Sequence, residues 1–225
     1  MGAPSSTYPF LMRVSHAVRN ESLQEIPALK ILHLVESFLA RRALCSIEPT
    51  GLHAVFKRLW EDSGDVVTAD TVKAAMKKHK TVKWPSDVII AVETQPMYKS
   101  AICAFVVLEY DRSLGGDSVG VDPWIEHVLP EGWTAKQWPD VAKDEHLELK
   151  DVLGNLIPLT SEMNKTLSNS AYAKKRPVYM ADSAFKSARL LGEEYESWSS
   201  DEIRARSALI AGWSVLRWED TSLTQ

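Results

Sequence analysis

The chain has little of several features that would place it in a specialised class of protein. It holds two cysteines in 225 residues, and Cys45 and Cys103 lie far apart, outside any CxxC pair and away from histidine at metal-ligand spacing. We therefore expect two buried free thiols rather than a disulfide or a zinc site. No apolar run reaches the roughly 18 residues that a membrane span needs. The first residues lack the basic and apolar segments of a secretory signal, so we expect no membrane partner and a cytoplasmic location.

The charge of the chain is modest and unevenly distributed. A formal net charge of −4 argues against a protein that binds nucleic acid by bulk charge alone. Residues 71–86 nevertheless hold five lysines and no acid, with Lys80 and Lys83 among them, and residues 160–190 hold six Lys or Arg against two acids. Residues 113–151 hold nine acids against three lysines. Local basic patches can therefore exist on a mildly acidic chain.

Residues 1–112 have the pattern of a helical subdomain. Their apolar residues recur at helical spacing, which predicts helices over residues 27–44, 51–61, 68–80, 88–92 and 97–111. Thr68 is a predicted N-cap, and Ser86 or Asp87 is the predicted cap of the fourth helix. The histidines of this half have no carboxylate or second histidine four residues away, so we interpret them as surface or core residues. Arg41, Arg42 and the lysines of residues 71–86 are expected either to contact phosphates or to lie on a solvated helix face.

A glycine-rich stretch over residues 113–121 breaks any helix and predicts a linker to a second domain over residues 122–225. In that domain we expect strands over residues 121–129 and 152–159, joined as a hairpin. The segment between them, residues 131–150, is acidic and has the composition of a loop.

Further signals mark the elements after this hairpin. Pro158 removes a backbone donor, so the second strand is predicted to end there or to lie at an edge. Thr160 is a predicted N-cap of the following helix. Ser199 and Glu202 have capping-box spacing and open a closing helix that runs to about residue 218. We interpret the tryptophans of this region as core residues rather than base-stacking platforms: Trp198, Trp213 and Trp218.

The first strand carries the segment Ile125-Glu126-His127-Val128-Leu129-Pro130. Adjacent residues of a strand point to opposite faces, so Glu126 and His127 can serve one centre only if the chain bends. Pro130 supplies a reason for such a bend. Asn155 follows Gly154 in the second strand, and Asn164 lies on the first turn of the next helix. An order of strand, strand and helix with His and Asn at these places is a ββα-metal arrangement.

These segments, in this order, resemble the C-terminal nuclease domain of the GmrSD-type, modification-dependent restriction endonucleases, which belong with the HNH, or His-Me finger, nucleases. The resemblance covers about residues 122–218 and rests on Ile125–Pro130, Trp133, Leu153–Leu156, Asn164, Ser168-Asn169, Tyr172 with Lys175, Tyr179 with Ser183, and Trp198 with Ile203 and Arg206. The Arg41-Arg42 pair after a long helix is similar to the segment that precedes the nuclease in that family.

The resemblance implies an α+β fold that is mostly helical. A helical subdomain would be followed by a ββα-metal (His-Me finger) nuclease core with C-terminal helices. The implied function is nicking of double-stranded DNA in an anti-phage, modification-linked restriction system. The family's nuclease usually follows a nucleotide-hydrolysing, ParB-like domain. This chain has no Gly-rich phosphate loop, so we expect a fragment of a longer protein or one subunit whose regulatory partner is separate.

The residues suggest roles in phosphodiester hydrolysis. A neutral histidine can take a proton from water near neutral pH, so His127 is the expected general base. A hard cation, Mg²⁺ or else Mn²⁺, prefers oxygen ligands, and Glu126 with Asn164 supplies a carboxylate and an amide oxygen. The resemblance suggests that Asn155 orients His127 or holds the loop. Two plainer readings stay open: Asn155 as a turn residue, and Asn164 as a surface amide.

Contacts to DNA phosphates are expected from a separate group of residues: Asn169, Lys174, Lys175 and Arg176. A solvated helix face is the other reading of this basic cluster. Arg204 and Arg206 on the closing helix are either DNA contacts or structural residues. His146 lies in the acidic segment and is not expected to be catalytic.

Two other functions compete with the nuclease. The chain could be a non-catalytic DNA- or protein-binding module on a degenerate nuclease scaffold, although Glu126, His127, Asn155 and Asn164 are all intact. It could also be a hydrolase that pairs His127 with a nucleophile, but no Ser or Cys stands in a nucleophile elbow.

Overall fold

The computed structural model describes residues 3–79, 84–85, 87–117 and 120–219. These residues form two compact units: a helical unit made of residues up to 88 together with those from 215 onward, and a sheet unit made of residues 89–214. The predicted linker at 113–121 falls within the continuous stretch of the sheet unit, and the domain division there stays a prediction. Lys80, Lys83, the predicted cap Ser86 and part of the linker lie outside the described residues.

The helical unit is built from amphipathic helices. These are α1 (Tyr8–Arg19), α2 (Glu25–Leu44), α3 (Leu52–Asp62) and α4 (Ala69–Lys78). The predicted helices over 27–44, 51–61 and 68–80 are confirmed to within two residues at each end, whereas α1 was not predicted. Thr68 caps α4 as expected, because its Oγ1 accepts from the backbone N–H of Thr71 at 3.2 Å. The apolar faces meet in a core that includes Phe10, Ile31, Phe38, Phe56 and Met76.

The other described residues are also mostly helical, and they include a two-stranded sheet. Their elements are α5 (Val88–Thr94), α6 (Cys103–Ser113), β1 (Pro123–His127), α7 (Lys143–Leu149), β2 (Leu156–Thr160), α8 (Ser161–Leu167), α9 (Tyr172–Asp182), α10 (Lys186–Glu194) and α11 (Ser200–Arg217). Among the described residues, no helix is long and apolar enough to cross a bilayer. The mixture fits the predicted α+β class.

Several predictions of element boundaries need correction. The helix predicted from residue 97 begins at Cys103, after a series of turns. The acidic segment is not a loop throughout, because it contains α7, which buries His146 and Leu149 on one face. Cys103 is buried as predicted, but Cys45 is only partly so; both thiols are free.

The two strands pair antiparallel as the predicted hairpin. Pro123 lies opposite Thr160, Ile125 opposite Pro158, and His127 opposite Leu156. The second strand begins later than predicted because Leu153–Asn155 form a 3-10 turn. It also continues through Pro158, which is tolerated because each strand of a two-stranded sheet has an open edge where a missing donor leaves nothing unpaired.

The 3-10 turn before β2 is packed against α11. A side chain at Gly154 would collide with the Ser207 side chain and the Ile203 carbonyl, so only glycine allows this approach. Arg206 is buried on the same helix, and its Nη1 donates to the carbonyl oxygens of Leu153, Gly154 and Leu156 at 3.2, 2.6 and 2.9 Å. Arg206 is therefore a structural residue.

The neighbouring Arg204 has the opposite environment. It is largely exposed and forms ion pairs with Glu145 and Glu148 on α7.

The capping box that opens α11 is confirmed, since Ser199 donates its backbone N–H to Glu202 at 2.7 Å. Trp198 and Trp218 are buried core residues, as predicted.

Replacing Arg206 tests whether its hydrogen bonds stabilise the 3-10 turn before β2. Arg206→Met removes one hydrogen-bond donor from each of three buried carbonyls, so we expect the free energy of unfolding to fall by roughly 3 kcal/mol. Arg204→Met, on the exposed side of the same helix, should change it by less than about 1 kcal/mol. Urea denaturation followed by circular dichroism measures both. Equal stability of the two variants would contradict the structural role of Arg206.

Candidate active site

His127 ends β1 and is held between a carboxylate and an aromatic ring. The His127 residue is 6% exposed. Its Nε2 lies 2.9 Å from Oδ1 of Asp151. The ring of Tyr98 lies against the imidazole, with ring centroids 4.0 Å apart and planes tilted by 50°. The imidazole is therefore restrained on two sides.

Asp151 owes its position to three contacts outside the histidine. Its carbonyl accepts from the backbone N–H groups of Met97 and Tyr98 at 2.7 and 3.2 Å. Its second carboxylate oxygen, Oδ2, accepts from Nζ of Lys150 at 2.6 Å. Tyr98 and Asp151, the two partners of His127, thus lie on segments whose backbones are hydrogen-bonded to each other.

The protonation states suit a base and its acceptor. Burial lowers the pKa of His127, while the nearby carboxylates of Asp151 and Glu131 act in the opposite direction. The imidazole is therefore neutral near neutral pH. Burial alone would raise the pKa of Asp151, but hydrogen bonds from Lys150 and His127 lower it overall. Asp151 is accordingly an ionised acceptor.

A set of possible cation ligands surrounds the same histidine. Ligand atoms of His127, Glu131 and Asp151 all lie within 4.8 Å of one another. The sequence reasoning missed Glu131 and Asp151. The available signal was position: Glu131 directly follows Pro130 of the histidine motif, and Asp151 stands four residues before Asn155. These positions alone do not predict contact with His127, because Asp151 lies 24 residues away along the chain.

Glu126 points away from this group, as expected for the neighbour of His127 on a strand. Its Oε1 accepts from Nζ of Lys175 at 2.7 Å, and the same ammonium donates to the carbonyls of His127 and Val128 at 2.8 and 3.1 Å. Burial raises the pKa of Glu126, although the charge of Lys175 acts in the opposite direction. Burial lowers the pKa of Lys175.

The predicted phosphate contact of Lys175 needs correction. Lys175 is fully buried, and its three N–H donors have three acceptors. In this position the ammonium cannot reach a DNA backbone. Its role is to neutralise a buried carboxylate and to bind the end of β1.

Asn164 lies beside the second oxygen of Glu126. Its amide sits between Oε2 of Glu126 and Nε1 of Trp124. With the NH₂ group towards Glu126, the amide oxygen accepts from Trp124 at 2.6 Å; with the amide reversed, two oxygens face each other. Glu126 and Asn164 thus meet each other. Their convergence with the His127 imidazole on one space stays a prediction.

Asn155 is fully buried and holds three segments together. Its Oδ1 accepts from the backbone N–H of Leu129 at 2.7 Å and from Nε1 of Trp198 at 3.1 Å. Its Nδ2 donates to the carbonyls of Leu129 and Lys150, both at 2.8 Å. Of its expected roles, these contacts match holding the loop, two residues beyond His127.

The chain matches the model of a known protein family. The model of the C-terminal domain of the GmrSD restriction endonucleases matches residues 69–213, which is more than half of the chain. The chain belongs to this family. No curated protein and no solved structure matches it.

Other residues of this GmrSD C-terminal domain differ in their access to solvent. Asn169 and Lys174 are exposed, whereas Arg176 is half-buried and its Nε donates to the carbonyl of Gly192 at 2.8 Å. His146 is buried with its Nε2 2.9 Å from the carbonyl oxygen of Pro130, and it stacks on Trp133. His146 is thus a buried core residue of α7 rather than part of an exposed loop.

The buried ion pair can be tested through stability. Lys175→Met leaves Glu126 buried without its partner, and we expect the free energy of unfolding to fall by about 3–5 kcal/mol. The double variant Lys175→Met, Glu126→Gln removes the uncompensated charge and should recover part of this loss.

Lys174→Met is the matched control, since it removes an exposed ammonium one residue away. It should change stability by less than about 0.5 kcal/mol. Guanidinium denaturation of these proteins, together with the single variant Glu126→Gln, gives the coupling energy of the ion pair. A Lys175→Met protein as stable as the control would contradict the proposed role of the ion pair.

Proposed function

We propose that this chain is the DNA-cutting module of a modification-linked, anti-phage restriction system, and that it nicks double-stranded DNA in a metal-dependent reaction. Family membership supports an endonuclease. The observation that carries the chemistry is the 2.9 Å contact between His127 and Asp151, which leaves a neutral, oriented imidazole beside carboxylate groups. His127 is the general base of this proposal.

A ββα-metal core of the His-Me finger type is part of the proposal. Its elements would be β1, β2 and α8, in this order along the chain. α8 contacts both strands, His127 ends the first strand, and Asn164 lies on the helix. We retain the division into a helical subdomain over residues 1–112 and a nuclease domain over 122–225. An N-terminal ParB-like, nucleotide-hydrolysing domain or separate subunit would control substrate choice.

His127 would act on a water molecule beside the scissile phosphate. Its free ring nitrogen takes the proton of the water as the oxygen bonds to phosphorus. Tyr98 and Asp151 keep the imidazole in one orientation, so little ordering is required in the transition state. A bound divalent cation would supply neutralisation of the developing charge on the phosphate and the leaving oxygen. A single such site implies one cut strand per event.

Glu126 and Asn164 would hold the cation. Oε1 of Glu126 is taken by Lys175, but Oε2 faces the Asn164 amide. With the amide oxygen turned towards Oε2, the two form a pair of hard ligands of the kind that Mg²⁺ or Mn²⁺ prefers. The set of His127, Glu131 and Asp151 is the competing site. A histidine that gives its lone pair to a cation cannot also accept a proton, so the two assignments exclude each other.

Contacts to the DNA backbone would come from the exposed members of the predicted group. Asn169 and Lys174 meet this condition, and Arg176 meets it in part.

One observation favours the second candidate function, a non-catalytic DNA- or protein-binding module: Glu126 already has a cation beside it in the form of Lys175.

Plasmid nicking tests the proposed base. With Mg²⁺ or Mn²⁺, the wild-type chain should convert supercoiled plasmid to open circles. His127→Ala should lower that rate by roughly 10²-fold or more, because a general base contributes about this factor. His33→Ala removes an exposed histidine of α2 and should nick at the wild-type rate. Equal nicking by His127→Ala and wild type would exclude the base, and no nicking by any of them would favour the binding module.

Calorimetry with Mn²⁺ tests the proposed cation ligands without requiring activity. Asn164→Ala removes one of two protein oxygens, so we expect its affinity to fall about tenfold or more. Glu131→Gln changes an exposed carboxylate of the competing set and should bind like the wild type. The reverse pattern, with weakened binding only in Glu131→Gln, would assign the cation to His127, Glu131 and Asp151.

A further inference from the structure

We propose that Asp151 is a positioning residue that sets the tautomer of His127. In this proposal Lys150, which binds the other carboxylate oxygen of Asp151, fixes which atom at position 151 faces the imidazole. This inference rests on the proposed function for its catalytic consequence, but the tautomer itself is a property of the folded chain. Tyr98, Lys150 and Asp151 together form the His127 clamp.

An ionised carboxylate is only an acceptor, so it decides where the imidazole proton lies. Since Oδ1 of Asp151 is 2.9 Å from Nε2, that nitrogen carries the hydrogen and donates it. The lone pair of the neutral ring then lies on Nδ1. In the proposed reaction, Nδ1 is therefore the atom that receives the proton of the water.

The rest of the clamp keeps the imidazole of His127 and the carboxylate of Asp151 in this orientation. The carbonyl of Asp151 is bonded to the backbone N–H groups of Met97 and Tyr98, so the carboxylate and the Tyr98 ring move together. The imidazole lies between them and has little room to turn over. Glu131 lies in the same cluster but is not hydrogen-bonded to His127; its side chain is 57% exposed.

Lys150 determines how the two oxygens of Asp151 are used. Its ammonium donates to Oδ2 at 2.6 Å, and an ammonium has no acceptor capacity. Any group that replaces the carboxylate must therefore still present an oxygen to Lys150. An amide at position 151 can do so only by turning its NH₂ group towards His127.

The catalytic consequence follows from the atom balance of hydrolysis. One O–H bond of the water breaks as its oxygen bonds to phosphorus, and the bridging P–O bond breaks with its electron pair on the leaving oxygen. The proton goes to Nδ1, which makes His127 a cation. Asp151 lies against that cation and stabilises it, so loss of Asp151 should lower kcat and leave KM nearly unchanged.

Histidine ¹⁵N NMR of the full chain near pH 8, where an imidazole is neutral, reads the tautomer directly. The wild type should show an unprotonated Nδ1 and a protonated Nε2. Asp151→Asn should invert this pattern, because its NH₂ group needs an acceptor at Nε2. Adding Lys150→Met to Asp151→Asn frees the amide to turn, and the wild-type tautomer should return.

Nicking assays on the same proteins connect the tautomer to the reaction. Asp151→Asn should lose about 10²-fold or more in kcat, and the double variant should recover part of it. Asp144→Asn, the same carboxylate-to-amide change at an exposed position of α7, should alter neither the tautomer nor the rate. A merely structural role of Asp151 would lower stability but would not invert the tautomer or allow recovery through Lys150→Met.

Two results would overturn the proposal. The first is an Asp151→Asn protein that keeps both the wild-type tautomer and the wild-type kcat. The second is an Nε2 resonance that takes the shift of a metal-bound nitrogen when MgCl₂ is added, since that nitrogen could not then donate to Asp151. Absence of nicking by the wild type would instead defeat the proposed function, while the NMR comparison still decides the tautomer.

Discussion

The arrangement of the site depends on one buried amide. Asn155 has no exposed surface, so its four hydrogen-bonding contacts must come from the protein, and they join the chain after His127, the carbonyl of Lys150 and the indole of Trp198. Removing any of these partners would leave a polar group unpaired in the core, which is costly. The segment that follows His127 and the segment that carries Asp151 are thereby held beside each other.

Several of the residues on which the predicted family resemblance rests stabilise the fold. Gly154 lets α11 approach the turn, Arg206 binds three of its carbonyls, and Lys175 neutralises Glu126 from within the core. These residues make the end of β1 rigid. A rigid frame of this kind is what an oriented base requires, because misplacement by a fraction of an ångström weakens proton transfer.

The two faces of β1 then have different characters. On one face, His127 meets Tyr98 and Asp151, and the exposed Glu131 lies close by. On the other, Glu126 meets Lys175 and the amide of Asn164. Alternation along a strand therefore gives the neighbouring residues Glu126 and His127 different side-chain partners.

The sequence by itself determined the features that depend on neighbours along the chain. The helical repeats of α2, α3 and α4, the caps at Thr68 and Thr160, the strand with His127 and the family pattern all follow from local spacing. Only the tertiary structure decided the side-chain partners. Lys174 and Lys175 are adjacent and chemically alike, yet one is exposed and the other is buried against Glu126. Asp151 pairs with a histidine 24 residues away. Such pairings depend on which distant segments pack together, and no local pattern contains that information.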